Sequence, residues 1–135
     1  MRYIINLKTS SMKIHIRTRA ATVLYALIWA YFGVNHMVHA KDMAGLVPIP
    51  GGAFWVFITG VGMLLACIAI ILNKKAKLAC YLLALMLLIF IFAIHIPGLM
   101  KNSPMAPSNL LKDIGLMAAA IVIGNVINHI KQIGQ

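Results

Sequence analysis

Charge is scarce in this sequence and lopsided where it occurs. Only 10% of its 135 residues are charged, and two acidic residues, Asp42 and Asp113, stand against twelve Lys and Arg. Soluble domains carry about a quarter charged residues. This balance, with 62% hydrophobic residues and a mean hydropathy of +0.94, belongs to the bilayer class. Cysteine is scarce too. Cys67 and Cys80 flank a turn expected on the reducing side of a membrane and do not form a Cys-x-x-Cys pair, so they read as small buried apolar residues. A glycine-rich phosphate loop, a zinc-protease helix and a serine-nucleophile turn are all missing, which sets those enzyme classes aside.

What the sequence has in abundance is long runs without charge. There are 21 such residues between Arg19 and Lys41, 31 between Asp42 and Lys74, 23 between Lys77 and Lys101, and 17 between Asp113 and Lys131. A spanning helix needs about 20 mainly apolar residues. The expected fold class is therefore an all-α integral membrane protein, a four-helix transmembrane bundle occupying residues 20–130. Its helices are expected over Ala20–His39, Ala53–Leu72, Leu78–Ile96 and Asn109–Ile130. The surplus in the second run is a loop, broken by Gly45, Pro48, Pro50, Gly51 and Gly52. Pro97 and Gly98 are expected to end the third helix, and Ser108 to cap the fourth. Short connections make successive helices antiparallel neighbours, up-down-up-down.

The net charge of +10 could suggest nucleic acid, but its distribution points to a membrane. Arg2, Lys8, Lys13, Arg17 and Arg19 precede the first helix, Lys74, Lys75 and Lys77 fill the turn between the second and third, and Lys131 follows the fourth. With four spans these nine share one side, leaving Lys41, Lys101 and Lys112 on the other. The positive-inside rule then puts both termini in the cytoplasm, with the basic residues meeting anionic headgroups of a bacterial inner membrane. No basic, aromatic-rich soluble module is present, so nucleic acid is not expected as a partner. The basic segment 1–19, the apolar run Ala20–Val34 and Val38-His39-Ala40 also resemble a signal peptide with a cleavage site. The run is long and aromatic, and it is read here as a retained helix. The first dozen residues are expected to form a loosely ordered tail, Met12 could equally serve as the start, and residues 131–135 form a short C-terminal tail.

Polar groups inside a membrane are costly, so their positions are the most informative. Tyr25, Trp29, Phe32, His36 and His39 recur at helical spacing on one face of the first helix. Tyr81, Leu85, Leu88, Phe92 and His95 do the same on the third, and both faces are expected to look into the bundle. His36 lies about one turn, ~5 Å, inside the outer end of its helix, and Asp113 about ~6 Å inside its own. Asn35, His36, His39, His95, Lys112 and Asp113 thus occupy one layer near the outer face, fed by three helices and within reach of Asp42. A structural account stands beside any functional one: residues near helix ends snorkel to water, and an aspartate at a helix N-terminus is stabilised by the dipole. Three chemistries suit the layer. A proton-exchanging or quinone-headgroup site needs a histidine near a carboxylate. A metal shell would draw on His36, His39, His95 and Asp113. A haem clamp would use His36 and His95.

A family resemblance follows from particular segments. Phe32-Gly33-Val34-Asn35-His36 closes the first helix, Met43-Ala44-Gly45-Leu46-Val47-Pro48 follows, and then comes Ala53-Phe54-Trp55-Val56-Phe57-Ile58-Thr59-Gly60-Val61. His95-Ile96-Pro97 and Leu111-Lys112-Asp113-Ile114-Gly115-Leu116 complete the pattern. Over residues 20–125 the chain resembles the DoxX-like family of small four-helix bacterial membrane proteins. The resemblance implies membrane residence and a redox context, since members include a subunit of a thiosulfate:quinone oxidoreductase. It is compatible with a membrane redox partner and with a quinone as ligand, but fixes no cofactor, and many members have no assigned activity. One departure bears on activity: members commonly carry a glutamate after the Thr-Gly, where this chain has Val61-Gly62-Met63. The competing expectation is a non-enzymatic assembly protein that binds another membrane subunit through the small residues of the last helix.

Overall fold

The computed structural model describes residues 17–130. Arg2, Lys8 and Lys13 of the basic segment, the alternative start Met12 and the tail 131–135 lie outside the described residues. Among the described residues there are helices and no strands. Helix α1 spans Thr18–Val38 and is followed by the short α2, Ala40–Met43, and a 3-10 turn, Ala44–Leu46. Helix α3 spans Gly52–Leu72. Helix α4, Ala76–Phe90, passes through a π-helical turn, Ile91–His95, into α5, Ile96–Met100. Helix α6, Ala106–Val126, ends in a 3-10 turn, Ile127–His129. Four stretches, α1, α3, α4 through α5, and α6 with its last turn, are long and apolar enough to cross a membrane.

Two helix ends differ from the sequence expectation. Pro97 and Gly98 do not end the third span; it continues to Met100. A proline in a helix lacks its N–H and clashes with the carbonyl four residues back. The π turn immediately before Pro97 relieves this, with Ile96 N–H donating to Ile91 O, five residues away. The fourth span starts at Ala106, so Ser108 lies inside the helix; Met105 occupies the cap position and Pro107 sits in the first turn, where its missing N–H is harmless.

Apolar attraction cannot hold helices together in lipid, because the tails are as apolar as leucine. Close backbone approach does it instead. α1 crosses α3 at Gly33 and Gly60: a Cβ on Gly33 would sit 2.8 Å from the Gly60 carbonyl oxygen, and one on Gly60 would sit 2.7 Å from the Gly33 oxygen. α4 packs on α6 where Gly124 faces Cys80 and Tyr81. Hydrogen bonds join the same pairs. Arg19 Nη1 donates to Ile70 O at 3.0 Å and Nη2 to Ile71 O, adding a cationic cap at the carbonyl end of α3. Tyr81 Oη donates to Asn125 Oδ1. Between α1 and α6 the backbones stay further apart, and a side chain bridges them: Tyr25 Oη donates to Leu116 O at 2.8 Å.

The inward faces are only partly those expected. Tyr25 and Trp29 are buried in the core beside Ile70, Cys80 and Ile127. On the third span the face is different. Leu85, Leu88 and Phe92 point outward, with Phe92 64% exposed, Tyr81 lies at the edge against Gly124 of α6, and Ala79, Cys80, Leu83, Ala84, Leu87 and Ile91 face the core. Lipid accepts large apolar side chains as readily as protein does, so the small residues take the contact and the bulky ones the bilayer. His95 parts company with the Phe92 face because the wider π turn carries it back into line with Leu87 and Ile91.

Candidate functional site

A cavity of about 510 Å³ lies among α1, α3, the π turn and α6. Trp29, Phe32 and Phe90 form apolar walls, and the segment Met43–Ile49 lines one end. That segment is brought over the cavity by the short α2 and its 3-10 turn, held by Val47 N–H donating to Ala44 O at 3.2 Å. Gly51 then takes φ +80°, a left-handed turn that glycine adopts without strain, and the chain enters α3. Trp55 Nε1 donates to Pro50 O at 3.2 Å and stands the indole against the rim.

The polar groups are concentrated on three helices. His95 Nε2 lies 2.7 Å from Asp113 Oδ2, with the two side chains only 12% and 6% exposed. An ionised carboxylate can only accept, so the imidazole donates through Nε2–H, and Nδ1 has no part in this contact. Lys112 Nζ lies 3.5 Å from the other oxygen, Asp113 Oδ1, and 4.8 Å from the centre of the Phe32 ring. The Lys112 side chain is 45% exposed, so its attraction to Asp113 is weakened by solvent and headgroups. His36 Nδ1 lies 2.8 Å from Phe32 O, and since a carbonyl only accepts, Nδ1 carries the proton and Nε2 is the free acceptor. Thr59 Oγ1 donates to Val56 O at 2.8 Å, leaving its oxygen lone pairs available. Trp29 is 1% exposed, and its indole N–H has no acceptor among the described residues.

Five of the six layer residues, Asn35, His36, His95, Lys112 and Asp113, line this cavity. His39 does not. It is exposed, with Nδ1–H donating to its own helix at Asn35 O, 3.2 Å away, because the cavity is closed off one turn short of the end of α1. Asp42 is exposed on α2 and is not part of the lining. Among the described residues no three of His, Cys, Asp and Glu converge as metal ligands. For a haem clamp, His95 has already committed Nε2 to Asp113, leaving only Nδ1. Trp55, Phe90, Thr59 and the Met43–Ile49 segment were not read as site residues from the sequence. Thr59 was the one with a visible signal, a hydroxyl within an apolar span.

Chemically, a buried carboxylate that fixes the tautomer of an imidazole is the orienting half of a proton-accepting site. The apolar walls admit a flat ring, and the polar end offers it both acceptors and donors. No family model, curated protein or solved structure matches the chain.

Proposed function

We propose that the chain is a DoxX-like multi-pass protein of a bacterial inner membrane that serves a quinone-linked redox system as a partner or subunit. The ring of a lipid-soluble quinone would occupy the cavity. The observation that carries this reading is the His95–Asp113 pair, 2.7 Å apart, at the polar end of an apolar cavity of about 510 Å³. A flat headgroup needs aromatic walls, and Trp29, Phe32 and Phe90 supply them. Its oxygens exchange hydrogen bonds or protons with imidazole, whose ordinary pKa is near neutrality.

The proposed arrangement is up-down-up-down with both termini in the cytoplasm. Arg19 at the start of α1 meets Ile70 and Ile71 at the end of α3, and Tyr81 near the start of α4 meets Asn125 near the end of α6, contacts that support antiparallel neighbours. The nine basic residues on one side against three on the other support the orientation.

Gently purified protein, extracted into organic solvent and chromatographed, is expected to yield close to one quinone per chain. A chain that yields none, from cells whose membrane redox activity survives its deletion, would sink the reading. A second reading, a non-enzymatic assembly protein, is favoured by one face of α6. Gly115 is exposed with open space where a Cβ would stand, and Leu111, Ala118 and Val122 beside it are exposed too. Such a face suits a second transmembrane helix. Crosslinking from Ala118→Cys in native membranes would then trap one recurrent partner; recovery of lipid and self-contacts alone would count against it.

A further inference from the structure

We propose that the cavity takes its ligand in the hydroxyl-bearing state, a quinol in preference to the corresponding quinone. The inference rests on reading the cavity as a headgroup site and adds the form of the ligand that the protein recognises.

The argument is an account of hydrogen-bond roles. The proton of His36 is on Nδ1, committed to Phe32 O, so the free Nε2 accepts. The Nε2–H of His95 is committed to Asp113, so its Nδ1 accepts whenever the ring is neutral. The hydroxyl proton of Thr59 is committed to Val56 O, so its oxygen accepts. All three residues line the cavity. The carbonyl of a quinone only accepts and can satisfy none of these three atoms. Each quinol hydroxyl has one proton to donate, so the two of them can meet two of these acceptors where the quinone meets none. The Trp29 indole N–H, which has no acceptor among the described residues, can donate to either form. Lys112 can donate to either form, and the Asn35 amide both donates and accepts, so neither separates them. A buried acceptor left unmet by a ligand weakens binding by roughly tenfold or more.

Recognition here involves no electron transfer. Each hydroxyl keeps its O–H bond and donates into an imidazole lone pair. When His95 is the acceptor, the Asp113 carboxylate holds the ring so that Nδ1 presents its lone pair.

Full-length protein in lipid nanodiscs, kept anaerobic, is titrated with a short-tailed benzoquinol and separately with the benzoquinone of identical substitution, following tryptophan fluorescence. The quinol is expected to bind at least about tenfold more tightly. His36→Phe, which removes an acceptor bonded only to its own helix, is expected to cut that ratio severalfold without loss of folding, and Phe92→Leu on the lipid-facing side to leave it unchanged. Equal affinities, or tighter binding of the quinone, overturn this inference and leave the headgroup reading standing. Binding of neither form removes both.

Discussion

At the end of the bundle where α1 begins, polar side chains answer one another beside a close α4–α6 seam; at the end where α1 stops, they stand around a cavity. The cavity at the first end, about 310 Å³ between α3 and α4, has an almost wholly apolar lining. Near the first end, Arg19 caps α3 and Tyr81 reaches Asn125, while Ile70, Cys80 and Ile127 are 0%, 0% and 1% exposed. Near the second, residues 93–98 are only half-buried, Trp29 keeps an unmet N–H, and the one buried acid of the described chain, Asp113, is held by a histidine. Both ends are built from the same kinds of helix. The difference lies in side-chain size at the interface. Ala79, Cys80, Ala120 and Gly124 let α4 and α6 close up, whereas Trp29, Phe32 and Phe90 stand between helices like spacers. A small bundle can therefore close one seam tightly, α4 on α6, and hold a polar-lined cavity at its other end, with the Gly33–Gly60 crossing keeping α1 and α3 together beside that cavity.

The sharpest way to break that comparison is at the crossing itself. Gly33→Val drives side-chain atoms into the Gly60 carbonyl, where no flexible group can yield, and is expected to cost about 3 kcal/mol. Unfolding in mild detergent, followed by tryptophan fluorescence, measures it; stability equal to the parent would mean the crossing does not hold the pair. Asp113→Ala leaves His95 without its buried partner and is expected to cost about 2 kcal/mol. The loss should stay local, with Cys80 at the α4–α6 seam remaining unreactive to maleimide, and rapid labelling of Cys80 would show that the two ends are not independent.

Smaller effects refine the picture. Leu83 is 3% exposed and Leu85 is 52% exposed on the same helix. Leu83→Ala is expected to cost ~1.5 kcal/mol, less than in a soluble core because lipid rather than water is the alternative environment, and Leu85→Ala under ~0.5 kcal/mol. Equal costs would contradict the assignment of the inward face. Tyr81→Phe removes one interhelical hydrogen bond and should lower stability by about 0.6 kcal/mol, the usual size of such bonds in membranes. A cost of several kcal/mol would make that bond a principal tie of the α4–α6 seam.

Four helices long and apolar enough to cross a membrane could be read from uncharged runs because the bilayer sets a length, and counting residues along each helix put His36, His95, Lys112 and Asp113 at one level, where they line one cavity. The face of the third span could not be read in this way. Its residues are nearly all apolar, so the periodicity of its bulky residues tracks the lipid as well as it tracks a core, and Leu85, Leu88 and Phe92 face outward while Tyr81 sits at the seam with α6. His95 still reaches Asp113 because of a π turn, and nothing in Ile91–His95 announces a π turn except the proline two residues beyond. His39 shares helical spacing with His36, yet one turn separates a cavity wall from an exposed helix end. The loop contribution was hidden for another reason. Met43–Ile49 reaches the site through a four-residue helix and a 3-10 turn, units too short to leave a periodic trace.

The cavity wall includes Leu46, Ile49 and Trp55 at 57%, 50% and 43% exposure, apolar side chains on the outer surface of the bundle. The hydrophobic ligand proposed for the cavity would arrive past them from the bilayer, without crossing bulk water. Occupancy then follows the number of ligand molecules per lipid, not the number per litre. Diluting such a sample with buffer would leave the site as full as before, while diluting it with fresh vesicles would empty it.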